Sequence, residues 1–177
     1  MNAVFLWGAH LSTSNAVRSY ESAFLTRATA ALSAALRDSH YTVMHLIQAE
    51  VLVANYFFSM SRFLEGRYHC SAAVALALSC GLTKIRSSAA HPPSHGGVHV
   101  EHRRDQHLPP PRDAIDEGER IRGFWYVYAL DKSWAVALGS PPHFNGIAQT
   151  GSYVDTPWPL EMAQFEAVRV LSFCLAS

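Results

Sequence analysis

Residues 120–142 form the most aromatic segment of the chain and constrain its fold more than any other segment does. Their sequence is RIRGFWYVYALDKSWAVALGSPP. The segment is long and has no proline before its Gly-Ser-Pro-Pro end, so it predicts a helix that stops near Gly139. At about 100° per residue, its apolar side chains cover most of the circumference, which is typical of a central, buried helix. Five aromatic residues lie within eleven positions: Phe124, Trp125, Tyr126, Tyr128 and Trp134.

One carboxylate interrupts this apolar pattern. Asp131 falls on an apolar face of the predicted helix, between Phe124 and Val127. Burying an unpaired carboxylate is costly, so we expect Asp131 to be buried and paired with an arginine of another helix or with backbone donors. Arg62 and Arg67 are the candidate arginines. A catalytic role is the alternative, but the sequence near Asp131 offers no second acid, nucleophile or oxyanion donor.

Several segments occur in an order that resembles a known family, the fungal-specific transcription factor domain. This domain is the middle homology, or regulatory, region of fungal zinc-cluster transcription factors. Each segment is short, but the ordered set covers most of the chain. The segments are Glu119-Arg120, Phe124-Trp125, Leu130-Asp131-Lys132, Gly139-Ser140-Pro141-Pro142, the predicted helix pair at 48–82, and the Asp-Thr-Pro-Trp-Pro sequence at 155–159.

The resemblance implies that residues 1–177 are part of a regulatory region that controls DNA-templated transcription in the nucleus. In that family, the region is associated with dimer contacts, repression and responses to small molecules. The implied partners are therefore a second copy, transcriptional regulators or a small-molecule effector. The candidate structural or regulatory residues are Arg120, Phe124, Trp125, Asp131, Trp134 and Trp158.

DNA and zinc are bound in the same family by a separate module with six cysteines. This chain has three dispersed cysteines, Cys70, Cys80 and Cys174, which cannot build that module. We therefore expect DNA and zinc to be bound by a module that this chain lacks, and no cofactor in the chain itself. The formal net charge of zero agrees, because a DNA-binding domain usually shows a basic surface.

The remaining pattern predicts an all-α architecture of about six stacked antiparallel helices. Apolar residues recur at helical spacing and short polar breaks separate the segments. We find no convincing strand and no internal repeat. Gly81 is expected to end its helix in the left-handed conformation. The predicted helices cover residues 3–11, 16 or 20 to 37, 42–60, 63–80, the aromatic segment with Asp113 as its N-cap, and 160–175.

Residues 84–112 separate the helical parts at 1–83 and 113–177. From residue 87 onward they hold five histidines, five prolines and almost no large apolar side chain, which predicts a long disordered or loosely held loop. The histidines, at positions 91, 95, 99, 102 and 107, are potential metal ligands, but their spacing matches no closed zinc site. We therefore predict no metal site in this chain.

Two other functional classes stay open beside the regulatory one. The first is a small helical ligand-binding protein or enzyme unrelated to transcription, in which Trp125 and Trp134 line a pocket. The second is a helical interaction scaffold without a ligand. An enzyme is not indicated, because no nucleophile elbow and no glycine-rich phosphate loop is present. The apolar run at 43–60 contains His45, Glu50 and Asn55 and is too polar for a membrane span.

Overall fold

The chain folds into helices joined by turns in the computed structural model, which describes residues 1–35, 42–86, 108–145 and 154–161. Within these ranges there is no strand, and the predicted all-α class is confirmed. A short 3-10 helix lies at Leu82–Lys84. The α-helices are α1 (Asn2–His10), α2 (Asn15–Arg18), α3 (Glu21–Ala35), α4 (Val43–Ser59), α5 (Phe63–Ser79) and α6 (Ala114–Ala137).

The predicted helices differ from the observed ones in two places. The helix expected from residue 16 or 20 to 37 is split, because the single-turn α2 precedes α3. The helix expected at 160–175 lies almost wholly outside the described residues, and Leu160 and Glu161, which are described, are not helical. The described part therefore holds five helices of nine residues or more, against about six expected over the whole chain.

α4 is the helix that separates the two hydrophobic cores. Ile47 and Phe58 face one core, which α4 forms with α5 and α6. Val53 and Phe57 face the other, which α4 forms with α1 and α3. A helix that packs on both sides needs apolar residues around most of its circumference, as α4 has.

The prediction that the aromatic segment is a central, buried helix is wrong for one face of α6. Tyr126 and Val136 of α6 are 60% and 83% exposed. Among the described elements, α6 packs against α4, α5 and the 3-10 helix at Leu82–Lys84, on the side opposite to these exposed residues. Its aromatic residues bury surface on one side only, while α4 takes the central position.

The pair formed by α4 and α5 is tightly packed and joined by only three residues, 60–62. A Cβ atom built on Gly66 would lie 2.5 Å from the ring of Phe58, so only glycine fits at this crossing. Gly81, two residues after the end of α5, is left-handed with a φ of 69°, and the next residue, Leu82, is buried. The predicted left-handed helix end is confirmed.

The ends of the predicted 84–112 loop are held against the helices. Residues 87–107 lie outside the described residues, and with them the five histidines. Ile85 and Leu108, on either side, pack against the core of α4, α5 and α6. Arg86 also donates two hydrogen bonds of 2.6 Å to Glu117 of α6. Ile85, Arg86 and Leu108, which the sequence assigned to the loop, are therefore held against the helices.

Candidate functional site: contacts and cavities of helix α6

The N-terminal end of α6 holds the chain segment that leads into it. Asp113 caps the helix by accepting a 2.8 Å hydrogen bond from the amide of Asp116, as predicted. The buried Arg120 donates to Asp116 at 3.0 Å and to the carbonyl of Pro109 at 2.6 Å. Burial raises the pKa of Asp116, but hydrogen bonds from the Arg112 amide and from Arg120 outweigh it and lower the pKa overall. Arg120 is thus a structural contact of α6.

The middle of α6 holds the Asp-Thr-Pro-Trp-Pro segment. Trp125 stacks on Trp158 with ring centroids 4.2 Å apart and planes at 9°, and its indole N–H donates to the carbonyl of Pro157 at 2.7 Å. Thr156 is buried, and its hydroxyl donates to the carbonyl of Leu82 at 2.5 Å. Two separate parts of the sequence pattern therefore meet in space. Trp158 itself remains 75% exposed on its outer side.

Replacing Trp125 with alanine is expected to lower the free energy of unfolding by about 2–3 kcal/mol, less than for a fully buried aromatic residue because Trp125 is half-buried. Urea denaturation measures the change. Trp125→Phe is the matched variant, because it keeps an aromatic ring against Trp158 and loses only the indole hydrogen bond, at about 1 kcal/mol. Equal stability of Trp125→Ala and the wild type would show that the stack contributes nothing.

Asp131 holds the turn that follows α6. Its side chain is 3% exposed, and Oδ1 accepts from the amide of His143 at 3.1 Å and from the imidazole Nδ1 at 2.7 Å. Oδ2 accepts from the amide of Phe144 at 3.0 Å. The expected burial and backbone donors are confirmed. The arginine partner is wrong: Arg62 pairs instead with Glu65 at 2.8 Å.

The Gly-Ser-Pro-Pro sequence turns the chain back toward Asp131. Gly139 is left-handed with a φ of 61°. The amide of Ser140 donates to the carbonyl of Ala135 at 2.9 Å, and that of Gly139 donates to Val136 at 3.3 Å. These two bonds form a Schellman end. Two prolines follow, which cannot continue a helix, and residues 143 and 144 are returned to the side of α6.

Phe144 joins this turn to the core. It is 1% exposed, and its ring packs edge-on against Phe124 at 5.6 Å. Lys132 donates a hydrogen bond to the carbonyl of Phe144. Phe124 is fully buried. Among the predicted site residues, we assign it to the hydrophobic core only. The roles of His143 and Phe144 were missed from the sequence, where only their position after the Pro-Pro stop marks them.

A cavity of about 540 Å³ lies at this end of α6. Trp134 lines it and stacks on Phe58, with centroids 4.0 Å apart and planes at 14°. Asp131 and Trp134 therefore border one cavity, while Trp125 and Arg120 lie elsewhere on the helix. Burial and the charge of Asp131 raise the pKa of the lining Cys70 to about 12, so this thiol stays protonated near neutral pH. The lining residues include Phe58, Arg67, Trp134, Leu138, Pro142 and His143.

Ser71, His143 and Asp131 contact one another in the way that the serine, histidine and aspartate of a catalytic triad do. The Ser71 hydroxyl is 3.3 Å from Nε2 of the His143 ring, whose Nδ1 contacts Asp131. An acyl-transfer site also needs oxyanion donors beside the nucleophile. Ser71 lies inside α5, where the backbone amides are used within the helix, so it has no such donors from its own segment. The arrangement fixes the His143 ring without completing a hydrolytic site.

A second cavity of about 540 Å³ lies between α4 and α6. Val51 and Leu52 form its apolar side, and Arg122, Glu119 and Tyr126 its other side. None of the six predicted residues lines it. Arg122 and Glu119 carry opposite charges, so this cavity favours neither an anionic nor a cationic ligand.

The described residues contain neither a cluster of potential metal ligands nor a membrane span. Among the described residues, no group of three or more His, Cys, Asp or Glu side chains is placed to hold a metal ion. The five loop histidines lie outside that part of the chain. No helix in the described ranges is long and apolar enough to cross a membrane.

The described residues thus form an all-α domain in which one aromatic helix holds the segments before and after it. The family model of the fungal specific transcription factor domain matches residues 1–164, and the chain belongs to this family. The comparisons with curated proteins and with solved structures found no match.

Proposed function

We propose that the chain is the regulatory, or middle homology, region of a fungal transcription factor and that it controls DNA-templated transcription from the nucleus. The family match over residues 1–164 supports this role. In this proposal, DNA and zinc are bound by a zinc-cluster module that this chain lacks. The chain itself performs no catalysis, and its contribution is to change how strongly transcription is activated.

The cavity at the C-terminal end of α6 is our candidate site for a small-molecule effector. It borders Asp131, which holds the turn at His143 and Phe144. A ligand that fits the cavity in one arrangement of this turn stabilises that arrangement at the expense of others. The same turn reaches the core through Phe144, so the effect extends beyond the cavity. A second copy of the chain or a transcriptional regulator at the outer surface would respond to this change in the arrangement of the turn.

A reporter assay tests the regulatory role. Residues 1–177 are placed between a heterologous zinc-cluster DNA-binding module and an activation domain, and transcription is compared with a fusion that carries a flexible linker of equal length. We expect the chain to change reporter output and Asp131→Ala to abolish the change. Glu119→Ala, an exposed acid-to-alanine change on the same helix, should keep it.

Equal output from the chain and the linker, at equal protein levels and over a range of carbon and nitrogen sources, would contradict the regulatory proposal. It would favour a ligand-binding protein unrelated to transcription.

A further inference from the structure

Among the described residues that line the cavity at the C-terminal end of α6, Asp131 is the one acid, and its oxygens already accept hydrogen bonds. Both oxygens of Asp131 accept hydrogen bonds, three in all, from His143 and Phe144, and the side chain is 3% exposed. An ionised carboxylate with these donors has little capacity left for a ligand. Asp131 therefore shapes the cavity wall. A different side chain must bind the charged group of a ligand in this cavity.

Arg67 supplies a positive charge at the same cavity. It lies on α5 one turn before Ser71, whose hydroxyl contacts the His143 ring, so the guanidinium and the imidazole border one region. Within the described part of the chain no ion pair is formed by Arg67, whereas Arg62, five residues earlier, is paired with Glu65. A guanidinium presents two parallel N–H groups that match a carboxylate.

Most of the remaining wall is apolar and partly aromatic, and its other polar residues are Ser140, His143 and Asn145. Trp134, stacked on Phe58, provides a flat indole, and Leu138 and Pro142 extend the apolar lining. Small-molecule sites are usually concave and mostly apolar, with a few polar groups that fix orientation. A volume of about 540 Å³ lies within the usual range for such sites.

We propose that this cavity binds a planar aromatic carboxylate, with the carboxylate on Arg67 and the ring system against Trp134, Leu138 and Pro142. The proposal rests on the effector role given to the cavity above and specifies its ligand class. A cationic ligand is disfavoured because it would face Arg67 without a free acid. A small inorganic anion is disfavoured because it would leave the apolar wall uncovered.

Isothermal titration calorimetry on the full chain tests this ligand class with 2-naphthoate as the probe. Its neutral counterpart, 2-naphthamide, has nearly the same shape, and inorganic phosphate has charge without an apolar body. We expect 2-naphthoate to bind at least about tenfold more tightly than 2-naphthamide, the factor expected for one charge-assisted hydrogen bond. Phosphate at equal concentration should not displace it. Equal affinities for the acid and the amide would overturn the proposal.

Two matched variants locate the binding site. Arg67→Gln changes an exposed residue, so the variant should fold, and it should weaken 2-naphthoate binding about tenfold or more while leaving 2-naphthamide unchanged. Arg122→Gln removes the same charge at the cavity between α4 and α6 and should leave both affinities unchanged. A loss in Arg122→Gln but not in Arg67→Gln would place the site elsewhere and contradict the assignment.

The binding assay and the reporter assay fail independently. If 2-naphthoate and 2-naphthamide bind equally tightly but the chain still changes reporter output, the ligand class is rejected and the regulatory role stands. Binding of 2-naphthoate that depends on Arg67, without any effect of the chain on the reporter, rejects the regulatory role and keeps the site.

Discussion

Replacement of Asp131 with alanine is expected to lower the free energy of unfolding by about 3–5 kcal/mol, because it leaves the buried amide of Phe144 and the partly buried donors of His143 without an acceptor. The amides of His143 and Phe144 and the His143 imidazole all donate to this carboxylate. Phe144 is 1% exposed, so water cannot readily replace the lost acceptor. A small domain has about 5–15 kcal/mol of stability, so this loss is a large fraction of it. Urea denaturation followed by circular dichroism measures the change.

Two further variants control for the size and charge of the Asp131 side chain. Asp131→Asn keeps the size and one acceptor oxygen, so its cost should be smaller, about 1–3 kcal/mol. Glu119→Ala removes an exposed carboxylate from the same helix and should change stability by less than about 0.5 kcal/mol. If Asp131→Ala is as stable as Glu119→Ala, the carboxylate does not hold the turn and a functional role for it must be reconsidered.

Phe124→Ala should be equally destabilising, at about 3–5 kcal/mol, but for a different reason. The ring is fully buried and packs edge-on against Phe144 at 5.6 Å, so its removal loses apolar contacts and leaves a cavity in the core of α4, α5 and α6. Thermal and urea unfolding of the variant measure the loss.

Tyr126→Ala is the matched control for this substitution. Tyr126 lies two residues further along α6 and is 60% exposed, so truncation of its ring should cost less than about 1 kcal/mol. A result in which Tyr126→Ala destabilises as much as Phe124→Ala would mean that the outer face of α6 is covered in solution and that the assigned inner and outer faces are wrong.

The ends of the helices were predictable because their signals are local. Asp113 precedes the helix with acids in the first turn, and its side chain caps the helix as expected. Gly81 and Gly139 follow the last apolar residues of α5 and α6, and both adopt the left-handed conformation. These features depend on neighbouring residues only, so the sequence carries the information directly.

The partner of Asp131 was not predictable in the same way. Its burial followed from its place on an apolar face, but the donors come from residues 143 and 144, after a turn whose direction depends on Gly139 and the two prolines. Apolar periodicity also predicted α6 as the central helix, whereas α4 takes that position. It measures how much of a helix is apolar, whereas burial depends on how many neighbours pack on it, and α4 has a hydrophobic core on each side.

Amide hydrogen exchange, followed by nuclear magnetic resonance in the wild type and in Asp131→Asn, tests most directly whether α6 holds the segments beside it. In the wild type, the His143 and Phe144 amides should exchange slowly, as core amides such as that of Val74 do. In Asp131→Asn these two amides should exchange at least about tenfold faster, while the Trp125 indole N–H stays protected. Exchange of the His143 and Phe144 amides at the rate of unprotected amides in the wild-type protein would contradict the role assigned to Asp131 and α6.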